Sequence, residues 1–516
     1  MQQYKILWAD DEIELLKPHI LFLEQKGYNL TPVNSGSDAL EEIDHNHFDI
    51  VFLDENMPGM SGLETLNYIK STHPNLPVVM ITKNEAEEIM EEAIGAKIAD
   101  YLIKPLNPNQ VLLSVKKILD NKRIISEKTN LSYQRAFQKL SMNVMEAQNH
   151  EDWAEIYKKL VYWEMEIDGT EDKSMAEVLN AQKVEAEGNF SDFIMKNYES
   201  WISDPDIDRP LLSHYLIKNR IFPLIQDDPV FLIVIDNLRF DQWKIIEPDI
   251  AELFSIESEE LYYAVLPTTT SYARNALFAG LTPFEIANRF PDLWIDEESD
   301  DKKNQFEEEL LASNLERNRI KERFSYYKIL KPDEGKHLSE GISNLMSNRL
   351  NAIVFNFVDM LSHARTDMQM IRELAPDESA YRSITKSWFT HSSLYDILKA
   401  LSNQRVKVAI TTDHGTIRVI KAQKIVGDRK TNTNLRYKVG NNLAFNKEKV
   451  YFHRNAEKIG LPKPHISSTF VFALEDHFFA YPNNFNHYVR YYKDTFQHGG
   501  ISMEEMLIPL VVLGTK

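Results

Sequence analysis

Four apolar runs in the second half of this chain each lead into, or follow directly on, residues of one chemical kind. FLIVI is followed by Asp236, and NAIVFNFV by Asp359 with His363 four residues on. KVAITT is followed by Asp413 and His414, and a QHGG turn carrying His498 precedes LIPLVVLG. Short apolar runs bounded by polar turns read as buried strands. Open α/β sheets place their sites at the carboxyl ends of such strands. Asp and His suit zinc, with Mn²⁺ remaining open, and the set divides in two. His363 lies one helical turn beyond Asp359, so both can reach one ion, with His498 completing three ligands. Asp236, Asp413 and His414 form the other group, and Thr270 in LPTTTSYARNALFAG is its nearest nucleophile. Three ligands and an open position describe a catalytic site better than a structural one. Two ions so held can act together on a phosphate.

Composition narrows the setting. The 516 residues contain no Cys, which fits a reducing cytoplasm and excludes thiol nucleophiles and Cys-ligated zinc. MQQYKILWADDE lacks the apolar core of a signal peptide, and no run approaches the length of a membrane span. The expectation is a cytoplasmic protein with no membrane insertion. A net charge of −20 argues against binding polyanions over the whole surface, though it allows a local basic patch.

Three regions follow from the patterning. Residues 1–120 alternate strand-like runs (KILWAD, FDIVFLD, LPVVMIT, ADYLIK) with amphipathic stretches, the pattern of a parallel α/β sheet. Over 121–215 strand signals vanish. Ser126–Met145, Asp152–Glu166 and Ser174–Tyr198 carry apolar residues at helical spacing and predict a helical bundle or connector. A disordered charged linker is the alternative, disfavoured by recurring Leu, Met, Tyr and Trp. From 216 to 516 strands return.

In the first region Asp10 and Asp11 follow the first strand, and Asp54, Thr82 and Lys104-Pro105 end later ones. Three carboxylates make a hard oxygen site for one Mg²⁺, with Lys104 a cation and Thr82 a hydroxyl donor for phosphoryl oxygens. With Asp54 set in LDENMPGMSG, these residues resemble the receiver domain of two-component response regulators. The resemblance implies that Asp54 is the phosphoacceptor for a sensor histidine kinase, and that Thr82 and Tyr101 form the switch pair. It also implies that Asn56 lends a backbone carbonyl to the Mg²⁺. The region that follows shows no helix-turn-helix with a basic recognition helix.

The later motifs, IVIDNLRFDQW, Thr270 ten residues before Gly280, Asp413-His414-Gly415 and His498-Gly499-Gly500, resemble the PglZ domain of the alkaline phosphatase superfamily. That resemblance puts Thr270 at the nucleophile position and on a metal, although Thr268, Thr269 and Ser271 are hydroxyl neighbours. Arg274 is read either as a clamp on a phosphate oxygen or as a structural salt bridge. Asn275 and Arg418 complete the candidate substrate contacts. Arg239 and Asp241 are expected to pair and brace the first strand end. Other histidines, His391, His453, His465, His477 and His487 among them, have no ligand spacing.

Residues 418–458 hold eleven basic residues, including Arg418, Lys421, Lys424, Arg429, Lys430, Arg436 and Lys438, against Asp428, Glu448 and Glu457. Asn432, Asn434, Tyr437, Phe445 and Tyr451 are interleaved. The mixture suits a strand of phosphates with bases to stack, and also suits an acidic partner or a solvated face. Taken whole, the order of receiver, helical connector and PglZ domain resembles PorX-type regulators. The resemblance implies regulation of type IX secretion, a homodimer on phosphorylation, and a phosphodiesterase with two Zn²⁺ acting on linear or cyclic oligonucleotides. The alternative is a non-catalytic regulator that docks a sigma factor or a secretion-system protein. A phosphatase acting on small monoesters is a third reading.

Overall fold

A computed structural model of the chain describes residues 4–74, 76–83, 98–168, 173–226, 228–295, 304–427, 431–465 and 467–516, without the side chains of 120–128, 173, 367 and 369. It divides into two units, one running to Ser132 and the other beginning at Tyr133.

The first unit is built on β1 (Lys5–Ala9), β2 (Asn29–Val33), β3 (Ile50–Asp54), β4 (Val78–Thr82) and β5 (Asp100–Ile103), all parallel, in the order β2-β1-β3-β4-β5. Strands β3 and β4 are buried along their whole length, as continuous apolar runs require when both faces are covered. Among the covering helices are α1 (Lys17–Gln25), α2 (Gly36–His45) and α3 (Gly62–Thr72). Ser61 and Glu64 start α3 with a reciprocal capping box. Strand order reverses between β1 and β3, and a site is expected at the carboxyl ends of strands beside such a switch point.

Helix α4 (Pro108–Glu146) contributes Val111, Val115 and Leu119 to the core of the first unit. No Gly or Pro interrupts it after Pro108, so nothing local stops it at the expected domain boundary near residue 120. Its later residues Tyr133, Leu140 and Val144 belong to the core of the second unit. There they join α5 (His150–Asp168) and α6 (Lys173–Ser203).

These helices do not close on themselves. Trp153, Tyr157, Phe190 and Tyr198 share one continuous apolar core with strand residues such as Phe231, Ile233, Ile353 and Leu507. The expected connector is thus one layer of the C-terminal unit from Tyr133 onward. That unit centres on β6 (Val230–Ile235), β7 (Phe254–Tyr263), β8 (Phe324–Ile329), β9 (Leu350–Phe355), β10 (Lys407–Thr411) and β11 (Leu507–Thr515). The sheet order is β7-β11-β10-β6-β9-β8, with β10, β6, β9 and β8 parallel and β11 antiparallel to both neighbours. The ends of β6, β9, β10 and β7 and the start of β11 therefore lie along one rim of the sheet. Among the described residues, no helix is long and apolar enough to cross a membrane.

Candidate active site

The rim collects the predicted side chains. Asp236 follows β6, Asp413 and His414 follow β10, and the three offer ligand atoms within 4.8 Å of one another, all buried. Asp359 and His363 lie on α7 (Phe357–Asp367), the helix after β9, and His498 lies on the turn before β11. These three also bring ligand atoms within 4.8 Å, with Asp359 3.5 Å from both His363 Nε2 and His498 Nε2.

Tautomers are set by the backbone. His414 Nδ1 lies 3.0 Å from the Gly415 carbonyl and His498 Nδ1 lies 3.3 Å from the Thr268 carbonyl. A carbonyl only accepts, so each Nδ1 carries the proton and each Nε2 lone pair faces the site. The two rings stack at 4.4 Å. Burial, with His414 and His363 adding to it, holds His498 well below the usual histidine range, so it is neutral and available as a ligand at pH 7.

Two glycines let the loops approach. Gly499 has φ 123°, and a Cβ there would stand 2.8 Å from Tyr437 Cδ1. A Cβ on Gly415 would meet the Glu504 carbonyl at 2.0 Å.

Thr270 opens a short helical turn reached from the end of β7 through Leu266-Pro267. Its hydroxyl is 3.3 Å from Asp236 Oδ1 and 3.2 Å from His414 Nε2. It lines a cavity of about 260 Å³ with Asp236, Asp359, His363, His498 and Ser271. Thr268 is turned away, bonded to the Gly500 carbonyl and to Gly499 N.

None of the three proposed substrate contacts lines this cavity. Arg274 is wholly buried and pairs with Asp236, with Asp413 at 3.0 Å and with Glu307 at 3.3 Å. It is a brace behind the carboxylates, and no phosphate can reach it. Asn275 is buried and donates to the Ser271 carbonyl. Arg418 is absent from the cavity lining and pairs with Asp494 at 3.1 Å.

Arg239 and Asp241 bond at 2.9 Å, and Arg382 extends the pair to Glu164 of α5. The basic segment also changes character on folding. Arg436 is buried against Glu505 at 2.6 Å, and Lys438 is buried with its Nζ on the Asn432 carbonyl. Arg429, Lys430 and Asp428 lie outside the described residues. Among the described residues, what the segment gives the cavity is Asn434 and Tyr437.

Sequence reasoning missed Asn237 and Asn356. Asn237 adopts φ 65°, rare outside glycine. Its amide donates to Asp359 and Ser362, and its backbone N donates to Asp413, so it spans both ligand groups. A non-glycine residue with a left-handed backbone beside a ligand cannot be seen in sequence. Asn356 lines the cavity with its buried Oδ1 lacking a hydrogen-bond partner.

The charge balance tests the fit to metal ions. Burial pushes the Asp236 carboxyl well up; Arg274 opposes that rise, and repulsion from Asp413 and Asp359 adds to it. At Asp413 burial also acts upward, yet the Arg274 guanidinium holds it at about 2. One arginine does not compensate the buried carboxylates, whereas divalent cations on two Asp/His sets do.

In the first unit Asp10, Asp11 and Asp54 bring carboxylate oxygens within 4.8 Å. Lys104 Nζ sits 2.8 Å from Asp10 and 2.9 Å from Asp54. Burial raises the Asp54 carboxyl despite the Lys104 bond. Thr82 donates to Glu55, and Lys83 turns out to Glu12 at 3.1 Å, clear of Asp54. Tyr101 at the sheet edge is half-buried, and Asn56 is exposed in the loop after β3. The carboxylate set suits a hard cation such as Mg²⁺.

Both units have counterparts among known proteins. A model for the BREX system PglZ alkaline phosphatase-like domain matches residues 216–513. The chain belongs to that family. Models for the PorX response regulator linker domain and the response regulator receiver domain match residues 123–202 and 6–116. The whole is thus a PorX-type response regulator with a C-terminal PglZ domain, and its receiver implies a phosphodonor such as a sensor kinase.

Curated relatives match the receiver. The transcriptional regulatory protein ZraR of Klebsiella oxytoca is 34% identical over 123 residues, 24% of this chain and 28% of that protein. The probable transcriptional regulatory protein TcrX of Mycobacterium tuberculosis is 33% identical over 118 residues, 23% of this chain and 50% of that protein. The chain therefore spans half or less of these relatives. Among solved structures, a CheY-like receiver domain protein from Methanospirillum hungatei is 27% identical, covering 23% of this chain and 96% of that one, with a TM-score of 0.23.

Proposed function

We infer that the effector unit is a zinc-dependent phosphodiesterase acting on linear or cyclic oligonucleotides under control of Asp54 phosphorylation, in a regulator of type IX secretion. One observation carries the catalytic reading: the Thr270 hydroxyl lies within 3.3 Å of Asp236 and His414, in a cavity that the second Asp/His set also lines. Asp236, Asp413 and His414, with Thr270, would hold one ion, and Asp359, His363 and His498 the other. Bound zinc supplies positive charge that favours the deprotonated Thr270 hydroxyl and stabilises charge developing on phosphoryl oxygens. The chain's own groups do the remaining work. Arg274 fixes the Asp236 and Asp413 carboxylates, Asn237 sets one ligand group against the other, and Asn356, Asn434 and Tyr437 border the space for the diester. Thr270 Oγ1 loses its proton to solvent and attacks phosphorus, the P–O bond to the leaving alcohol breaks as that oxygen takes up a proton, and water then cleaves the Thr270–phosphorus ester to release the remaining phosphomonoester and restore the hydroxyl. Asp10, Asp11, Asp54 and the Asn56 carbonyl would hold Mg²⁺, with Thr82 and Tyr101 responding to the phosphoryl group on Asp54.

The test pairs metal analysis of the purified protein with hydrolysis of an aryl phosphodiester by wild type and Thr270→Val. The expected result is two equivalents of zinc in the effector unit and turnover lowered by about three orders of magnitude in the variant. Undiminished turnover by Thr270→Val would sink the covalent route, and a protein that takes up no transition metal would sink the metal reading.

A further inference from the structure

Charge builds on the non-bridging oxygens of a phosphoryl group as its bonds exchange. Hydrogen-bond donors aimed in advance at those oxygens lower the barrier. Among the described residues no Lys or Arg lines the Thr270 cavity. Apart from the two Asp/His sets, its polar lining is made of hydroxyls and the amides of Asn304, Asn356 and Asn434. A donor counts for catalysis in proportion to how firmly its direction is held, and on that criterion the amides differ.

Asn356 has its buried Oδ1 without a partner, so nothing there sets which amide atom faces the cavity. At Asn434 the choice is made. Its Oδ1 accepts from the backbone N of Arg436 at 2.7 Å and of Tyr437 at 3.1 Å. Only the oxygen of an amide accepts, so Oδ1 is spent on the turn and Nδ2 is left over. That Nδ2 donates to no group among the described residues, in a side chain that lines the cavity.

The turn that carries Asn434 is itself anchored. Arg436, wholly buried, donates to Glu505 at 3.2 Å from Nε and 2.6 Å from Nη2, and also to the His477 carbonyl. Glu505 in turn accepts from Gly500 N at 2.8 Å and Ser502 Oγ at 2.7 Å. The Asn434 turn is thereby tied to the loop that bears His498. Gly499 makes the approach possible, because a Cβ there would stand 3.0 Å from Asn434 Oδ1.

We propose that Asn434 is a catalytic residue, its Nδ2 donating to a non-bridging oxygen of the phosphoryl group that Thr270 attacks, in a bond that strengthens as charge develops there. This rests on the phosphodiesterase reading for the identity of the reacting group. The contribution of the segment 418–458 to the chemistry is then one neutral, oriented amide.

The test compares full-length, zinc-replete wild type with Asn434→Ser and Asn434→Asp. Both replacements keep an oxygen that can accept from the backbone of such a turn, and neither keeps the amide N–H groups. Ser also stays neutral. Hydrolysis of an aryl phosphodiester is measured, and binding of orthovanadate, a mimic of the transition state, is followed by calorimetry without turnover. In Asn434→Ser, kcat is expected to fall about 100-fold with KM little changed, the scale of one lost donor. Vanadate should weaken by a similar factor. Asn434→Asp should lose at least as much, with zinc content and melting temperature unchanged in both. Turnover and vanadate affinity equal to wild type in Asn434→Ser would overturn the proposal and leave Asn434 as a turn former. Lost turnover that tracks lost zinc in both variants would also overturn it, making Asn434 a support for His498. Wild type that hydrolyses no diester, yet binds vanadate about 100-fold more tightly than Asn434→Ser, would remove the catalytic reading and leave the donor standing. Without turnover, equal or absent vanadate binding in the two would overturn both.

Discussion

Asn237 shows how much of this site is settled by single residues. Its left-handed backbone lets one side chain reach Asp359 while its own N–H reaches Asp413. Asn237→Gly keeps that backbone free of strain and removes the amide. It is expected to lower turnover or zinc affinity about 10- to 100-fold, as loss of groups that orient ligands does. Chelator competition and thermal melting would check this, with melting little changed. Lys438 makes a separate point about charge. Burial holds its ammonium down at about 7, against an ordinary value of 10.5. Between those values the unfolded chain carries a proton that the folded chain lacks, so stability from this site rises with pH, by about 1.4 kcal/mol per unit. Below pH 7 the buried charge is a constant cost. Lys438→Met should remove the rise, so that the stability difference between variant and wild type changes by about 2–3 kcal/mol between pH 7 and 9 in denaturant titrations. A variant that tracks wild type across that range would show that Lys438 is hydrated.

At the scale of elements, the helices before residue 216 bear directly on the loops of the site. Tyr198 of α6 accepts from Leu266 N at 2.8 Å, four residues before Thr270. Glu187 of the same helix accepts from Met503 N at 3.1 Å, five residues after His498. Tyr198→Phe leaves a buried N–H without its acceptor and is expected to destabilise the unit by about 1–3 kcal/mol. Faster amide exchange at Leu266 would locate the effect. A fragment of residues 133–516 should fold and bind zinc, whereas 216–516 should not, because it loses Trp153, Tyr157, Phe190 and Tyr198 from the shared core. Circular dichroism and metal titration of the two fragments distinguish these outcomes. The helices themselves were legible from spacing over 126–145, 152–166 and 174–198. Their attachment was not, because an apolar stripe does not say which surface covers it.

For the whole molecule, the expected response to phosphorylation is assembly. A phosphoryl group on Asp54 gives Lys104 a stronger partner and offers Thr82 an acceptor in place of Glu55. Movement of Thr82 frees space for Tyr101 to turn inward, which reshapes the receiver face along β5. A two-fold contact through that face needs no other chain. Beryllofluoride with Mg²⁺ should shift monomer to dimer in light scattering, and Asp54→Ala should abolish the shift. An unchanged mass with the phosphoryl mimic bound would refute the coupling and leave the effector chemistry untouched.

The identity and order of the Asp and His residues gathered on the rim were readable because strand ends are local features. An apolar run closing on Asp or His already says where in an α/β sheet that side chain sits. The receiver residues were readable for the same reason, each at the end of a short buried strand. Whether a neighbouring side chain faces the cavity or the core was not readable. Arg274 and Asn275, one turn beyond Thr270, point inward, and Arg436 and Lys438 lie buried in a segment rich in charge. For Arg436 and Arg274 the partners that set those directions lie 69 and 139 positions away in the chain, Glu505 and Asp413. Packing between distant segments decides them, and no periodicity in a single segment records it.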